Sequence, residues 1–238
     1  MFIKIIAFAL TALALATSPA YADEADIKKA VATLYGSNVK VSAVRKAEAL
    51  GLYEVQIGSD ILYADEKGSY FIQGDIIDVH AHLNLTDARR NKLAQIKFSD
   101  LPLELAMKTV RGNGKRVFAT FEDPNCGYCK KLAKEIVGIT DFTMYTFMVP
   151  ILSPDSSEKT KAIWCSADRI KTWNEWMVNG VPPTAGTCAA PIDKVLALGQ
   201  KLNVRGTPTI FFSNGERIPQ FIPAARLDQE LTRIASLK

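Results

Sequence analysis

Val117-Phe118-Ala119-Thr120-Phe121, a run of strand-forming residues, leads through a short acidic loop to Cys126-Gly127-Tyr128-Cys129. After this C-x-x-C, apolar residues continue at the spacing that places side chains on one helix face: Cys129, Leu132, Ala133 and Ile136. The sequence therefore predicts a strand, a loop and a helix, with a pair of cysteines at the point where the helix begins.

The two cysteines are predicted to have different environments. Cys129 points into the core, whereas Cys126 lies at the helix N-terminus, where unpaired N–H groups and the helix dipole stabilise an anion. A thiol there ionises below its ordinary pKa of about 8.5, and the thiolate is the nucleophile. We expect an exposed reactive sulfur at Cys126 and a shielded resolving sulfur at Cys129, as dithiol–disulfide exchange requires. Lys130 and Lys131 are expected to be solvated and to favour the thiolate only weakly.

The N-terminus has the pattern of a secretory signal peptide. Lys4 supplies a positive charge, residues 5–16 form an apolar run, and Ala20-Tyr21-Ala22 is a cleavage sequence. The apolar run is shorter than the about 20 residues that cross a bilayer. We expect cleavage after Ala22 and export to a compartment where disulfides persist, with a retained anchor as the alternative.

Charge and motif content argue against several functions. The formal net charge is +4 over 238 residues, which does not favour a nucleic-acid partner. The sequence has no glycine-rich phosphate loop, and we expect neither a cofactor nor a bound metal. His80 and His82 alternate on a predicted strand, but no further ligand converges there.

The first part of the mature chain reads as a small helix-plus-sheet unit. Residues 24–35 predict a helix with Ile27, Val31 and Leu34 on one side. Turn residues then separate five strand-like runs, which are residues 39–44, 52–57, 61–64, 70–73 and 76–83. A polar connecting helix is predicted over 86–98, with Thr86 as its N-cap. The predicted limits are a signal peptide over 1–22, an N-terminal domain over 23–85, a linker over 86–101 and a catalytic domain over 102–238.

The second part predicts the order strand, helix, strand, helical insertion, strand, strand, helix. A strand over 143–149 follows the cysteine helix. Ser153-Pro154 then begins the helical insertion, because serine caps a helix and proline suits its first turn. Asn214-Gly215 predicts a hairpin turn after the strand 209–213.

Several motifs together resemble the DsbC/DsbG family of periplasmic disulfide isomerases, within the thioredoxin superfamily. They are the signal peptide, the C-G-Y-C at Cys126–Cys129, Gly206-Thr207-Pro208, Lys161-Ala162-Ile163-Trp164-Cys165, Cys188 and the small N-terminal domain. The resemblance implies an α+β architecture. It is a thioredoxin fold with a helical insertion, preceded by a helix-plus-antiparallel-sheet dimerisation domain and a linker helix.

The resemblance also implies partners and a substrate site. It implies a homodimer made through the N-terminal domains, a membrane reductase resembling DsbD, and misfolded exported proteins with non-native disulfides as substrates. It implies a cis bond before Pro208 and substrate contacts from Thr207, Pro208, Gly127 and Tyr128, with the Thr207 backbone pairing to an extended chain.

Two positions depart from what the family leads us to expect. Thr209 stands where a smaller residue is expected. The loop Glu122-Asp123-Pro124-Asn125 before Cys126 is more acidic than expected, and a carboxylate near Cys126 opposes thiolate formation.

Cys165 and Cys188 are predicted to form a structural disulfide. Four cysteines allow three pairings, and this pairing leaves the C-x-x-C free. The loop that it closes has about 24 residues, worth about 3.5 kcal/mol in the chain-entropy treatment. The alternatives are a structural disulfide within the C-x-x-C or a zinc site that uses all four cysteines.

The predicted function is thiol–disulfide interchange in exported proteins, by isomerisation or reduction of incorrect disulfides through Cys126 and Cys129. Two alternatives stay open at this point. One is a DsbG-like reductase that protects single cysteines, and the other is a holdase chaperone in which redox activity is secondary.

Overall fold

The computed structural model describes residues 24–184 and 186–237, so the predicted signal peptide lies outside the described residues. The chain divides into a first unit that ends at Gly74 and a second that begins at Asp75. The domain limits given in the sequence analysis remain a prediction. Within the two described ranges, no helix combines the length and the apolar character needed to cross a membrane.

The first unit is one helix packed on a four-stranded antiparallel sheet. Its elements are α1 (Glu24–Tyr35), β1 (Ala43–Lys46), β2 (Tyr53–Ile57), β3 (Asp60–Ala64) and β4 (Phe71–Ile72), and the strands lie in that order in the sheet. Ile27 and Val31 are buried in the core of this unit, as the helical spacing predicts, together with Val55 of β2. Two details of the prediction were wrong: β1 begins at Ala43 rather than at residue 39, and Leu34 faces solvent.

The predicted single strand over residues 76–83 is instead a hairpin of two short strands. They are β5 (Ile77–Asp78) and β6 (Leu83–Asn84). The Asp78 side chain accepts hydrogen bonds from the backbone N–H groups of His80 and Ala81, and this local bonding turns the chain. His80 and His82 therefore lie in a turn and do not alternate along a strand.

The connecting helix is shorter than predicted and has a different cap. It is α2 (Leu85–Leu93), and its N-cap is Asn84, whose side chain accepts from the N–H of Asp87. Thr86 is instead buried inside the helix and accepts a hydrogen bond from the N–H of Ile76. Because the Thr86 side chain bonds Ile76, it does not cap the helix, although threonine is a common N-cap residue.

The second unit is built on a five-stranded sheet flanked by helices. Its strands are β7 (Met107–Arg111), β8 (Arg116–Glu122), β9 (Phe142–Met148), β10 (Thr209–Phe212) and β11 (Arg217–Ile218). The strand order is β11-β10-β8-β9-β7, and only β8 and β9 are parallel. The α+β thioredoxin architecture expected from the resemblance is confirmed.

The helices that follow α2 in this unit include the predicted insertion between β9 and β10. They are α3 (Gly127–Glu135), α4 (Pro154–Trp164), α5 (Arg169–Asn174) continued by a π-helical turn (Glu175–Asn179), α6 (Ile192–Lys201) and α7 (Ala224–Ala235). Ser153 caps α4 through its side chain, as predicted, by accepting from the N–H of Ser156.

β7 was not predicted from the sequence. This edge strand pairs only with β9 and has the pattern buried, exposed, half-buried, exposed, half-buried, so it lacks the continuous apolar run of the central strands.

The two faces of the sheet carry separate cores. Phe118, Phe142 and Phe212 belong to one, and Phe121 and Phe147 belong to the other.

The parallel pairing of β8 and β9 positions the functional site. Parallel strands end at the same edge of a sheet, and here Glu122 at the end of β8 is opposite Met148 at the end of β9. The loop to Cys126 leaves from this edge.

Candidate active site

Cys126 is the N-cap residue of α3. Its Sγ accepts a hydrogen bond from the backbone N–H of Cys129 at 3.3 Å, which satisfies one of the free donors at the start of the helix. The thiol is therefore where the N–H groups and the helix dipole stabilise negative charge.

The reactive sulfur is less open than the sequence suggested. Cys126 is 5% exposed and Cys129 is 0% exposed, so the two differ in the expected direction, but Cys126 is not an exposed residue. The loop that ends at Thr207 covers it, and Cys126 Sγ lies 3.2 Å from the Thr207 carbonyl oxygen. The Thr207–Pro208 peptide bond is cis, as the resemblance implies.

The environment makes Cys126 acidic. A hydrogen bond from the Cys129 thiol is the main reason why the pKa of Cys126 falls to about 6, and burial partly opposes it. The Thr207 hydroxyl and the backbone N–H groups of Cys129 and Tyr128 also lower this pKa. The Thr207 hydroxyl is buried and forms no full hydrogen bond with any of the described residues, so it acts on the thiolate only as a nearby donor.

The environment of Cys129 has the opposite effect and raises the pKa of its thiol. Burial is the main cause that raises the pKa of its thiol far above the ordinary value, followed by the hydrogen bond to Cys126 and the charges of Glu122 and Cys126. At neutral pH the pair thus holds one thiolate and one thiol, with the proton on the inner sulfur.

The two acidic residues before Cys126 are Glu122 and Asp123. They were expected to oppose thiolate formation, but the structure gives each of them a different role. Glu122 is buried, which raises its pKa to about 7, while the Thr120 hydroxyl donates to its carboxylate at 2.7 Å and lowers the pKa. The charge of Cys126 raises the pKa of Glu122 further. With a pKa of about 7, Glu122 is partly protonated at neutral pH, which weakens the repulsion that the sequence predicted.

Asp123 is a structural clamp. It is 0% exposed, and one carboxylate oxygen accepts from the N–H groups of Ile151 and Leu152 at 2.9 and 3.0 Å. The other oxygen accepts from the N–H of Asn125 and from the Ser156 hydroxyl, both at 2.8 Å. Four donors compensate for the burial of this charge. The sequence contained no signal for this role, because three of the donors come from segments beyond β9 and the fourth comes from the turn itself.

Proteins similar to this chain are named as thiol:disulfide interchange proteins. A family model described as "Disulfide bond isomerase protein N-terminal domain" matches residues 18–87, and one described as "Thioredoxin-like domain" matches residues 103–235. A probable thiol:disulfide interchange protein DsbC of Bordetella pertussis is 49% identical over 80% of this chain and 68% of its own length. DsbC of Escherichia coli K12 is 31% identical over 93% of this chain and 92% of its own.

The chain belongs to the DsbC family of thiol:disulfide interchange proteins.

A solved structure of a disulfide interchange protein from Neisseria gonorrhoeae supports this membership. It is 40% identical to this chain and matches it with a TM-score of 0.54, covering 56% of this chain and 97% of the other.

This DsbC family member has a disulfide in its helical insertion. Cys165 and Cys188 are bonded, with Cα atoms 5.5 Å apart, and Cys126 and Cys129 are free thiols. The zinc alternative fails because two of its four ligands are bonded to each other. The other alternative was a structural disulfide within the C-x-x-C. It does not match the structure, in which Cys126 and Cys129 are free thiols.

Tyr128 and Gly127, predicted to contact substrate, lie on the rim of the DsbC-type site. Tyr128 is 64% exposed, and its ring stacks on Phe221 with centroids 5.8 Å apart. An exposed aromatic ring beside a reactive cysteine fits a peptide contact. The substrate roles of Gly127, Tyr128, Thr207 and Pro208 remain predictions.

Trp176 braces the loop before Cys126. Its indole N–H donates to the Pro124 carbonyl at 2.6 Å, and it lies on the π-helical turn. Lys130 was expected to be solvated, but its Nζ is 3.9 Å from the centroid of the Trp176 ring, and Lys159 Nζ is 4.8 Å from it. Lys130 is thus half-buried rather than fully exposed, because a tertiary contact that the local sequence does not reveal provides a cation–π partner.

Proposed function

We propose that the protein reduces and isomerises incorrect disulfides in exported proteins, with Cys126 as the nucleophile and Cys129 as the resolving thiol. The observation that carries this proposal is the position of Cys126 Sγ at the start of α3, 3.3 Å from the backbone N–H of Cys129, while Cys129 itself is fully buried. In keeping with these positions, the pKa of Cys126 falls to about 6 and that of Cys129 is raised. Membership of the DsbC family supports the same chemistry.

The first step is attack of the Cys126 thiolate on one sulfur of a substrate disulfide. A bond forms between Cys126 Sγ and that sulfur, the substrate S–S bond breaks, and the second substrate sulfur leaves as a thiolate. At pH 7 a thiol with a pKa of about 6 is about 90% ionised, so the nucleophile is ready without a separate base.

The mixed disulfide has two exits. If a substrate thiolate attacks the substrate sulfur, Cys126 leaves as a thiolate and the substrate is isomerised with no net change in electrons. If the Cys129 thiolate attacks Cys126 Sγ, the substrate leaves reduced, and the protein holds a Cys126–Cys129 disulfide in place of two thiols.

The raised pKa of Cys129 favours the first exit. Cys129 must lose its proton before it attacks, and burial opposes that loss. Formation of the mixed disulfide removes the negative charge of Cys126, one of the causes that raise this pKa. Loss of that charge makes Cys129 easier to ionise in the mixed disulfide, but burial, the largest cause, still opposes ionisation, so resolution by Cys129 competes slowly with attack by substrate thiols.

The wider setting follows from the same proposal. The second exit leaves an oxidised protein, so a dithiol donor must reduce it again, and we assign this role to a membrane reductase resembling DsbD. The signal sequence supports a periplasmic location after cleavage following Ala22. The match to the isomerase N-terminal domain supports a homodimer.

Refolding of scrambled ribonuclease by the reduced protein tests the proposal. Cys126→Ser should abolish isomerisation, because no other free thiol among the described residues has a lowered pKa. Cys129→Ser should accumulate a mixed disulfide between Cys126 and the substrate, visible by non-reducing gel and mass spectrometry. Full isomerase activity in Cys126→Ser would refute the assignment.

A further inference from the structure

Trp176 connects the helical insertion to the turn that carries Cys126. It lies on the π-helical turn Glu175–Asn179, and single π-helical turns within α-helices are frequent at functional sites. Its indole N–H donates to the Pro124 carbonyl at 2.6 Å, across 52 positions of the chain. The exchange of disulfides at Cys126 does not itself require this side chain, so the contact needs another explanation.

The Pro124 carbonyl depends on this donor. Pro124 is buried, and a buried carbonyl that lacks a donor is unfavourable. Within the turn, the N–H of Cys126 donates to the Asp123 carbonyl at 3.0 Å, and the N–H of Asn125 donates to the Asp123 side chain. Because these local amides are bonded to Asp123, the Pro124 carbonyl takes its hydrogen bond from the insertion.

The ring of Trp176 contacts two helices beside the active site. Lys130 Nζ of α3 is 3.9 Å from the ring centroid, and Lys159 Nζ of α4 is 4.8 Å from it. Both contacts are attractive, because a cation is stabilised by the face of an aromatic ring. The indole that donates to Pro124 is therefore anchored to the helix that begins at Cys126 and to the first helix of the insertion.

The ionisation of Cys126 is sensitive to the position of this turn. Cys126 follows Pro124 by two residues, and its Sγ accepts from the backbone N–H of Cys129 at 3.3 Å. A hydrogen bond weakens steeply as its geometry departs from the optimum. A turn that is free to shift would hold Sγ less well against this donor and would stabilise the thiolate less.

We propose that Trp176 is a positioning residue for Cys126, which fixes the turn before the cysteine by donating to the Pro124 carbonyl. The helical insertion thereby sets how readily the nucleophile ionises. Trp176 acts through the backbone of the turn and not on the substrate. This inference rests on the proposed function and adds a residue to its machinery.

Alkylation of the reduced protein by iodoacetamide tests the proposal. The rate at Cys126 is measured as a function of pH by mass spectrometry, and fragmentation locates the alkylated residue. Trp176→Phe removes the N–H donor and keeps an aromatic ring. A second variant has β-(3-benzothienyl)alanine at position 176, which keeps the shape of tryptophan with sulfur in place of the N–H. The test therefore does not depend on how well phenylalanine packs.

In both variants the pKa of Cys126 should rise above its value of about 6. Alkylation at about pH 6 should be about 2- to 5-fold slower than in the wild type, and at about pH 9, where this thiol is ionised in all forms, the rates should be equal. A change in exposure would instead alter the rate at both pH values. The difference should persist in about 1 M salt, which screens any effect of the lysine charges.

Trp173→Phe is the matched control. Trp173 is another tryptophan of the insertion, 4% exposed in α5, and belongs to the same core cluster as Cys126. Among the described residues, Trp176 and not Trp173 donates to the active-site turn. The control should keep the wild-type pH profile.

The possible failures are distinguishable. A wild-type pH profile in the benzothienyl variant, or an equal displacement by Trp173→Phe, would overturn the positioning role and leave the proposed function intact. So would a rate lowered by the same factor at both pH values, or a difference that disappears in high salt. A wild-type Cys126 that titrates like an ordinary cysteine would refute the proposed function and the positioning role together.

Discussion

Replacing Cys129 by alanine should raise the pKa of Cys126, whereas replacing it by serine should leave that pKa low. The hydrogen bond from the Cys129 thiol is the largest of the contributions that lower the pKa of Cys126 to about 6. Alanine removes this donor. Serine replaces it with a hydroxyl, and both variants keep the backbone N–H of residue 129, which bonds Cys126 Sγ at 3.3 Å.

The size of the effect is bounded by the two limiting pKa values. With a pKa of about 6 the thiol is about 90% ionised at pH 7, and with the reference value of 9.0 it would be about 1% ionised. Complete loss of the stabilisation would thus slow alkylation at pH 7 by about 100-fold. The alanine variant should lose part of that range, because the Thr207 hydroxyl and the helix N–H groups remain.

The assay is the rate of iodoacetamide alkylation as a function of pH, followed by mass spectrometry. In both variants Cys126 is the only free thiol among the described residues, because Cys165 and Cys188 are bonded to each other. We expect a midpoint near pH 6 for serine and a higher midpoint for alanine. Equal midpoints in the two variants, or a serine midpoint near that of an ordinary cysteine, would refute the role of the Cys129 donor.

Three further changes test other parts of the structure. Burial raises the pKa of Glu122 from 4.5 to about 7, so the folded state keeps a proton that the unfolded chain loses. The free energy of unfolding should therefore fall by about 3 kcal/mol as pH rises across this interval, and Glu122→Gln should abolish the fall in urea titrations made in a Cys126→Ser background. Replacing Cys165 and Cys188 together by alanine should lower the free energy of unfolding by about 3.5 kcal/mol, since the closed loop spans 23 positions; an unchanged urea midpoint would contradict this. Asp123→Asn should cost about 2–4 kcal/mol, because an amide presents donors where the carboxylate accepted four hydrogen bonds, and a loss below 1 kcal/mol in thermal or urea unfolding would argue against the clamp.

The elements that were predicted well are those whose signals are local. The helix Glu24–Tyr35 has its apolar residues at helical spacing, and α4 begins at the predicted Ser153-Pro154 cap. The elements that were wrong or missed had competing local chemistry or weak patterns. Asp78 turned a predicted strand into a hairpin, and β7 was missed because an edge strand needs no continuous apolar run.

The candidate site divides in the same way. The cysteine pair, the helix that it begins and the direction of the difference between the two thiols follow from a few contiguous residues, because helix capping and periodicity act over one or two turns. Thr207, which covers Cys126, is 81 positions away from it, and Leu152, which donates a hydrogen bond to Asp123, is 29 positions away from that residue. No local sequence pattern predicts that segments so far apart in the chain are in contact.

Sequence alone thus determined that Cys126 lies at a helix N-terminus and Cys129 inside the helix, which is the basis for the proposal that Cys126 is the nucleophile. Tertiary structure decided how acidic and how accessible that sulfur is, and what lies beside it. Thiol ionisation depends on burial and on donors within a few ångströms, and only the packing of β8, β9 and the Thr207 loop brings those groups together.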